Sequence, residues 1–313
     1  MKDRILISVI IPSYNRADTV GQTIDSILAQ KVDADVEIVV GDDCSTDNAR
    51  EVLLKYKEQH QDVIRLLFHE QNMGLGANWA TCVKACKGKY ICNCDNDDYW
   101  HNENKLQIQL DYMESHPECN ICITNHRTLN RTTGEIREVH VHLDHSDIQY
   151  SMWHSQNFCN ATIMYRAEFM KAHLDLDEFI KRRFTLQDWP AWVILTAHTD
   201  INELPESTAT WCMETVSITR PDSVEKYAKR LAGDKEVTRY LGELFPDRFP
   251  FDELEWELFA NRRLCAKAFD VDDFESAKRY GKDCVGISRI KRVCSQNKLL
   301  FELFRWLKNR KKK

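Results

Sequence analysis

The residues most able to do chemistry in this chain sit just after apolar runs. "ILISVII" (5–11) leads into Pro12-Ser13-Tyr14-Asn15-Arg16, "VEIVV" (36–40) into Gly41-Asp42-Asp43-Cys44-Ser45-Thr46-Asp47, and "KYICNC" (89–94) into Asp95-Asn96-Asp97-Asp98. The last run sets three carboxylates within four residues. Like charges so close repel unless a cation compensates them, and a hard divalent ion is the natural partner. In extended chain Asp95 and Asp97 share a face while Asp98 points away, so Asp97 can ligate a metal and Asp95 can take a sugar hydroxyl or a metal-bound water. Taken alone, a D-x-D reads more simply as an acidic turn or helix N-cap. Its position beside two other polar strand ends is what favours a site.

Each neighbouring segment has a plain structural reading beside the chemical one. Ser45 and Thr46 suit N-caps of a helix running through Val52, with Asp47 in its first turn, but capping does not explain Asp42 and Asp43. A carboxylate there can accept from a nucleobase N–H while Tyr14 stacks on the ring. "NMGLGANW" (72–79) carries Gly74-x-Gly76 without a third glycine and follows the third run, so it fails as a dinucleotide fingerprint. It reads equally as a loop ahead of a helix, or as a pocket wall made by backbone at Gly74 and by Asn78. In "RFTLQDWPAW" Asp188 lies between apolar neighbours, as a partly desolvated general base would, and Pro190 behind it equally suits a helix start.

The elements that would position these residues follow from periodicity. The runs at 5–11, 36–40, 63–68 and 89–94 fit strands buried on both faces, the first two being β-branched and nearly unbroken. Between them Val20, Ile24, Ile27 and Leu28, then Val52, Leu53 and Tyr56, then Trp79, Cys82, Val83 and Cys86 recur at helical steps. Strand alternating with helix predicts an α/β fold with right-handed crossovers and a parallel sheet, whose ligands bind beyond the carboxyl ends of the strands. "CNICITNH" and "NATIMYR" read as further strands, separated by a His-bearing polar stretch near 130–157 expected to be a loop or hairpin at the mouth of a site. From about 222 onward the pattern is helical. The expected division is therefore 1–221 for the sheet domain and 222–313 for a helical C-terminal region.

Composition narrows the function. With 43% hydrophobic and 29% charged residues the chain reads as an ordinary globular protein, and its net charge of −6 supplies no basic field for nucleic acid. The N-terminal apolar run is too short to span a membrane and lacks a cleavage site, which predicts a cytoplasmic start. Twelve cysteines are then expected as reduced thiols, with Cys119-x-x-Cys122 acting as buried small hydrophobes rather than half of a zinc site.

Together "SVIIPSYNR", "VVGDDCSTDNAREVL", "NMGLGANWATCVKACKGKYICNCDNDDYW" and "TLQDW" resemble the family 2 glycosyltransferases, over about residues 5–218. The resemblance implies a GT-A type, Rossmann-like, mostly parallel sheet flanked by helices, with the C-terminal helices as an appendage. It puts Pro12, Tyr14 and Asp43 around the base, Asp95 at the ribose, Asp97 on Mn2+ or Mg2+, and Asp188 as the base that deprotonates the acceptor. The implied reaction is an inverting, metal-dependent transfer of a hexosyl or N-acetylhexosaminyl unit from a nucleotide-sugar, with UDP the commonest carrier, to a glycan or lipid-linked saccharide in surface polysaccharide synthesis. A catalytically weak nucleotide-binding scaffold is the competing function. Where many relatives carry a Tyr-Arg pair after the last core strand, this chain has Trp211-Cys212 and then "METVSITRP". Glu214, Thr215 and Arg220 are candidates there, and no third metal ligand is assigned.

The C-terminus, "KLLFELFRWLKNRKKK", predicts attachment to an anionic membrane surface, the alternative being a helix packed on its own domain with the lysines as a solvated tail. Leu299, Leu300, Leu303, Phe304 and Leu307 share a helical face, Trp306 suits headgroup depth, and Arg305, Lys308 and Arg310 to Lys313 crowd the end.

Overall fold

The computed structural model describes residues 5–154, 158–214, 221–282 and 289–310, with the side chains of residues 289, 305 and 307–310 outside that description. The four N-terminal apolar runs become β1 (Leu6–Ser13), β2 (Asp35–Asp42), β3 (Ile64–Phe68) and β4 (Tyr90–Asn93), alternating with α1 (Val20–Leu28), α2 (Ala49–Gln59) and α3 (Leu75–Ala85). They are followed by β5 (Tyr99–Trp100), α4 (Lys105–Ser115), β6 (Ile121–Asn130), β7 (Ile136–Val139) and α5 (Ile148–His154). Then come β8 (Met164–Arg166), α6 (Ala167–His173), α7 (Leu176–Arg182), α8 (Asp188–Leu195) and β9 (Asn202–Met213).

All nine strands form one sheet in the order β3, β2, β1, β4, β8, β6, β9, β5, with β7 added to β6. The ladders joining β1 to β2 and β4, β2 to β3, and β6 to β9 are parallel; those involving β5, β7 and β8 are antiparallel. Register levels the strand ends: Pro12 pairs Gly41 and Ser13 pairs Asp42. The polar segments after β1 and β2 therefore emerge side by side at the carboxyl edge. The expected loop or hairpin near 130–157 contains the β6–β7 hairpin, a 3-10 turn at His145–Asp147 and α5, with residues 155–157 outside the description. "NATIMYR" is strand only from Met164, since Asn160–Thr162 is a 3-10 turn.

Burial explains why the first runs read so clearly. Ile7, Val9 and Ile11 pack into a cluster with Val20, Ile24, Ile27, Ile38, Val40 and Leu53, while Ile10 and Val39, pointing the other way, are equally inaccessible. Ser8, the polar interruption in β1, donates to Glu37 Oε1 (2.6 Å) and accepts from the Gly88 N–H (2.8 Å), and Arg65 pairs the other Glu37 oxygen at 2.9 Å. A buried carboxylate is thus satisfied, as low dielectric demands. The eleven described cysteines are free thiols, all but Cys44 buried.

The chain divides into two compact units, 1–214 and 215–313. The second contains α9 (Val224–Leu244), α10 (Glu253–Val271), α11 (Phe274–Gly281), α12 (Arg289–Gln296) and α13 (Lys298–Arg310). Ser223, Asp252 and Asp273 cap α9, α10 and α11 through their side chains. On α13 the expected apolar face divides in two. Phe301 is buried against Phe269 and Phe274, and Phe304 lies 5.4 Å from Phe269, so both belong to this unit's core. Leu299, Leu300, Leu303 and Trp306 face outward. Leu307 and the basic side chains at 305, 308 and 310–313 lie outside the described residues. No described helix is long and apolar enough to cross a membrane.

Lys105 is fully buried in the sheet unit. Its ammonium donates to Gln109 Oε1 at 2.6 Å and stands 4.3 Å from the Trp100 ring centroid. Burial lowers its pKa from the ordinary 10.5. Between that lowered value and 10.5 the unfolded chain binds more protons than the folded one, so this residue makes stability rise with pH across the window. Lys105→Met should stabilise the protein by about 1–2 kcal/mol at pH 7 and should abolish that rise, as read by urea unfolding at pH 7, 9 and 10.

Candidate active site

The loop after β1 and the loop after β2 are tied together by side chains. Asn15, at φ +50°, takes a left-handed conformation; its N–H donates to Ser45 Oγ (2.9 Å) and its Oδ1 accepts from the Thr46 N–H (2.8 Å). Asp47 Oδ2 accepts from the Ala17 N–H at 2.9 Å. Ser45 and Thr46 therefore lace two strand ends together instead of capping α2, whose N-cap is Asn48. Tyr14 projects from this double loop, 45% exposed, and Pro12 is buried beneath it.

The two carboxylates ending β2 face different partners. Asp42 is inaccessible, with Oδ2 taking Arg50 Nε at 2.6 Å. Asp43 accepts the Met73 N–H on Oδ1 (2.6 Å) and the Gly74 N–H on Oδ2 (2.9 Å), so it fastens the 72–76 loop to the strand end. Gly74 has φ +88°, which only glycine adopts without strain, and it starts α3. Asn78 sits deeper than expected for a pocket wall. It is buried between α3 and β2, donating to the Gly41 carbonyl (2.8 Å) while its Oδ1 pairs His69 Nε2 (3.0 Å). A Cβ on residue 41 would lie 2.1 Å from Asn78 Oδ1, so Gly41 is needed for that approach. Asn78 thus positions β2 rather than presenting an amide to the site.

The turn after β4 is held from α1. Thr19 Oγ1 donates to the Asn96 carbonyl (2.8 Å), Thr23 Oγ1 to the Asp98 carbonyl (2.7 Å), and Asn96 Nδ2 to Ser13 Oγ (3.1 Å). Asp98 points inward from a turn closed by its own N–H on the Asp95 carbonyl (3.0 Å), not from the extended chain that alternation assumes: its Oδ1 accepts the Cys212 N–H at 2.8 Å and its Oδ2 the Cys159 thiol at 3.7 Å. Asp95 and Asp97 are half-buried and turn the other way. Asp97 meets Arg16 Nη2 at 3.3 Å, Arg16 Nη1 meets Glu214 at 3.3 Å, and Arg131 donates to the Asp97 carbonyl at 2.8 Å. The Asp95 carboxylate takes long contacts, 3.4 and 3.5 Å, from Asn160 Nδ2.

Electrostatics joins Asp188 to this group. Burial, then the charges of Asp97 and Asp188, push Asp95 up to about 7. Burial and the Glu214 charge raise Asp97, opposed by Arg16 and Arg131. Asp188 is the first residue of α8 with Pro190 two residues on, as the helix-start reading expects, and its charge also acts on Asp95. Its loop is fastened to the other side of the site, because the Gly76 N–H donates to the Phe184 carbonyl at 3.0 Å. Among the described residues no three His, Cys, Asp or Glu side chains form a group able to hold a metal ion. Thr215 and Arg220 lie outside the described residues. Asp97 and Glu214 nonetheless suit a hard cation that takes its remaining ligands from phosphate and water, as Mg2+ usually does.

Arg16, Asn160 and Arg131 were not singled out from sequence. Arg16 is contiguous with the Tyr14 segment, but nothing in the spacing shows which acid an arginine meets.

The sequence profile of Glycosyl transferase family 2 matches residues 8–174, and the chain belongs to that family. An Escherichia coli protein named UDP-Glc:alpha-D-GlcNAc-diphosphoundecaprenol beta-1,3-glucosyltransferase WfgD is 37% identical over 111 residues, covering 36% of this chain and 42% of that one. The matched segment spans about a third to two fifths of the length of such curated relatives. Among solved structures, S. aureus TarS 1–349 in complex with UDP superposes with a TM-score of 0.56 at 18% identity, covering 94% of this chain and 82% of that one. The Pyrobaculum calidifontis mannosyltransferase PcManGT, in complex with GDP-Man and Mn2+, gives a TM-score of 0.53 at 13% identity, covering 98% and 88%. These likenesses fix the fold.

Two adjacent carboxylates should respond oppositely to truncation. Asp98→Ala strands the buried Cys212 N–H and should cost about 2–3 kcal/mol. Asp95 has a native pKa above that of the unfolded chain, so its ionisation lowers stability as pH rises from about 4 to about 7, and fully above that. Asp95→Ala should therefore leave stability unchanged at pH 8 or raise it by on the order of 1 kcal/mol, the figure being discounted for partial exposure. Thermal and urea unfolding of both variants at pH 8 check this.

Proposed function

We propose that this protein is an inverting glycosyltransferase that moves a hexosyl or N-acetylhexosaminyl unit from a UDP-sugar to a saccharide or lipid-linked saccharide acceptor in surface polysaccharide synthesis. The observation that carries the reading is the shared field of Asp95, Asp97 and Asp188 at the carboxyl edge of the parallel sheet, beside the exposed ring of Tyr14. Family membership and the donor and lipid-linked acceptor named for WfgD support it.

In this reading Tyr14 stacks on the base above Pro12, and Asp43 accepts a base N–H with the lone pairs left by Met73 and Gly74. Asp95 holds a ribose hydroxyl. Asp97 would hold Mn2+ or Mg2+, which would supply the charge neutralisation that the leaving diphosphate needs. Asp188 takes the proton of the acceptor hydroxyl as its oxygen attacks the anomeric carbon. The bond from that carbon to the nucleoside diphosphate breaks on the opposite face, and configuration inverts.

Calorimetry should show UDP binding more weakly without Mn2+, and Asp97→Ala should abolish the difference, because a diphosphate beside these carboxylates meets strong repulsion without a cation. Equal UDP affinity with and without Mn2+ would remove the metal from the reading. Asp188→Asn keeps shape but cannot take the proton, so turnover of UDP-sugar should fall roughly 10²–10⁴-fold while UDP affinity stays near wild type. Normal turnover would return Asp188 to a helix-starting role.

The acceptor reading extends to an anionic membrane surface, supported by the outward Leu299, Leu300, Leu303 and Trp306 on α13 and by the basic residues around them in the sequence. Each basic residue near such a surface contributes about 1 kcal/mol, enough collectively for reversible attachment. Removing α13 would also remove Phe301 from the core, so point changes are the better test. The Leu299→Asp/Leu303→Asp protein should pellet with anionic liposomes much less than wild type, and neither should pellet with neutral ones. Equal pelleting of both proteins with anionic liposomes would remove the membrane.

A further inference from the structure

Arg16 bridges the turn after β4 and the residue following β9 by pairing a carboxylate of each. Its Nη2 lies 3.3 Å from Asp97 Oδ2, and its Nη1 lies 3.3 Å from both Glu214 carboxylate oxygens. These contacts are long for charge-assisted pairs, which normally close to about 2.7–2.9 Å. The three side chains keep 29%, 26% and 27% of their surface exposed. The Arg16 main chain, by contrast, is fixed: its carbonyl accepts from the N–H groups of Thr19 (3.2 Å) and Val20 (3.0 Å) at the start of α1. A rigid backbone thus presents a loosely held guanidinium between two acids.

We propose that Arg16 is a resident counter-ion, holding in the donor-free protein the charge position that a divalent cation takes when the donor binds. The inference rests on the reading of Asp97 as a cation ligand. With Arg16 in place Asp97 and Glu214 are partly neutralised, and an entering cation meets a like charge a few ångströms away. A guanidinium does not deprotonate in the accessible pH range, so it leaves only by displacement, never by titration. Displacement is easiest when the incoming donor offers phosphate oxygens that can pair the released guanidinium. Metal and nucleotide should then bind with positive coupling, each raising the affinity for the other by the same factor. Without nucleotide the metal should bind weakly.

Electron paramagnetic resonance of free Mn2+ tests this on the full chain with UDP as the nucleotide probe, melting curves confirming that each variant is folded. Without UDP, Arg16→Gln should bind Mn2+ about tenfold more tightly than wild type, since a competing positive charge has gone. Arg16→Lys, which keeps the charge but not the fork, should fall between the two. UDP should tighten Mn2+ binding more in wild type than in Arg16→Gln. If wild type binds Mn2+ with UDP but Arg16→Gln without UDP binds it no better than wild type, the counter-ion role is wrong and the cation reading survives. If wild type fails to bind Mn2+ even with UDP, the cation reading falls and takes this inference with it. Should Arg16→Gln not fold, Arg16→Lys carries the comparison, and a nucleotide-free affinity equal to wild type overturns the proposal.

Discussion

Crowding of negative charge along one sheet edge is the constraint to which the rest of the sheet unit answers. Asp42, Asp43, Asp95, Asp97, Asp98, Asp188 and Glu214 lie in the segments that close this edge. Left uncompensated, such a set would repel at several kcal/mol per close pair in a partly buried setting. The fold disperses that energy by giving three of the carboxylates fixed donors. Asp42 has Arg50, Asp43 has two loop amides, and Asp98 has the Cys212 amide with the Cys159 thiol. Burial and neighbouring carboxylates still raise the pKa values of Asp95, Asp97 and Asp98, and of these Asp95 and Asp97 stay partly open to solvent. Neighbouring acids of identical chemistry are thereby sorted into enclosed and partly open groups by where their oxygens point.

That sorting is enforced from behind. α1 reaches over the β4 turn with two hydroxyls, Thr19 and Thr23, each donating to a main-chain carbonyl of the turn. These neutral hydrogen bonds fix the turn without adding charge, so the alternation of Asp95, Asp97 and Asp98 is set by backbone geometry and not by which acid finds a cation. The opposite, amino ends of the strands carry their own buried network, Ser8 with Glu37 and Arg65, complete within itself. One end of the sheet is electrostatically closed and the other is left open. A binding edge needs that asymmetry.

Legibility followed burial. Strands inaccessible on both faces, such as β1 and β2, leave near-continuous apolar runs, and their carboxyl ends named Tyr14, Asp43, Asp95 and Asp97 at once. β9 is harder to read because "NELPESTATWCM" alternates irregularly between buried and exposed, a result of the register shifts beside Thr124, Asn125 and His126 in its partner strand. Ser45 and Thr46 look like caps because hydroxyl residues before a helix usually are; Asn15, 30 and 31 positions earlier, cannot be seen competing for them in a linear chain. On α13 Leu299, Leu300, Leu303 and Trp306 face outward as the period predicts, while Phe304 turns to the unit's own core beside Phe301, since a helix with apolar residues nearly all round does not say which of them its own unit will cover. Arg16 illustrates the general limit. An arginine's role is set by which acids lie within its reach, and those acids sit about 80 and 200 positions away in the chain.

The family match ends at residue 174, before Asp188, so the position of the proposed base depends on contacts made beyond the matched core. One continuous path supplies them. Asp43 at the end of β2 fixes the amides of Met73 and Gly74. Gly74 starts α3, and two residues later the Gly76 N–H holds the Phe184 carbonyl. Phe184 is itself buried against Phe179, and four residues further α8 begins at Asp188. Asp43 and Asp188, the carboxylates proposed for the nucleobase and for the acceptor, are therefore joined by one path of hydrogen bonds and short chain segments. Two glycines make it possible, the first by its backbone angle and the second by lying directly against the Phe184 carbonyl. In a site where donor and acceptor arrive separately, such a relay lets the segment that holds the base also set the height of the helix carrying the residue that takes the proton. This also explains why "NMGLGANW" fails as a phosphate loop yet cannot be dismissed as a connector.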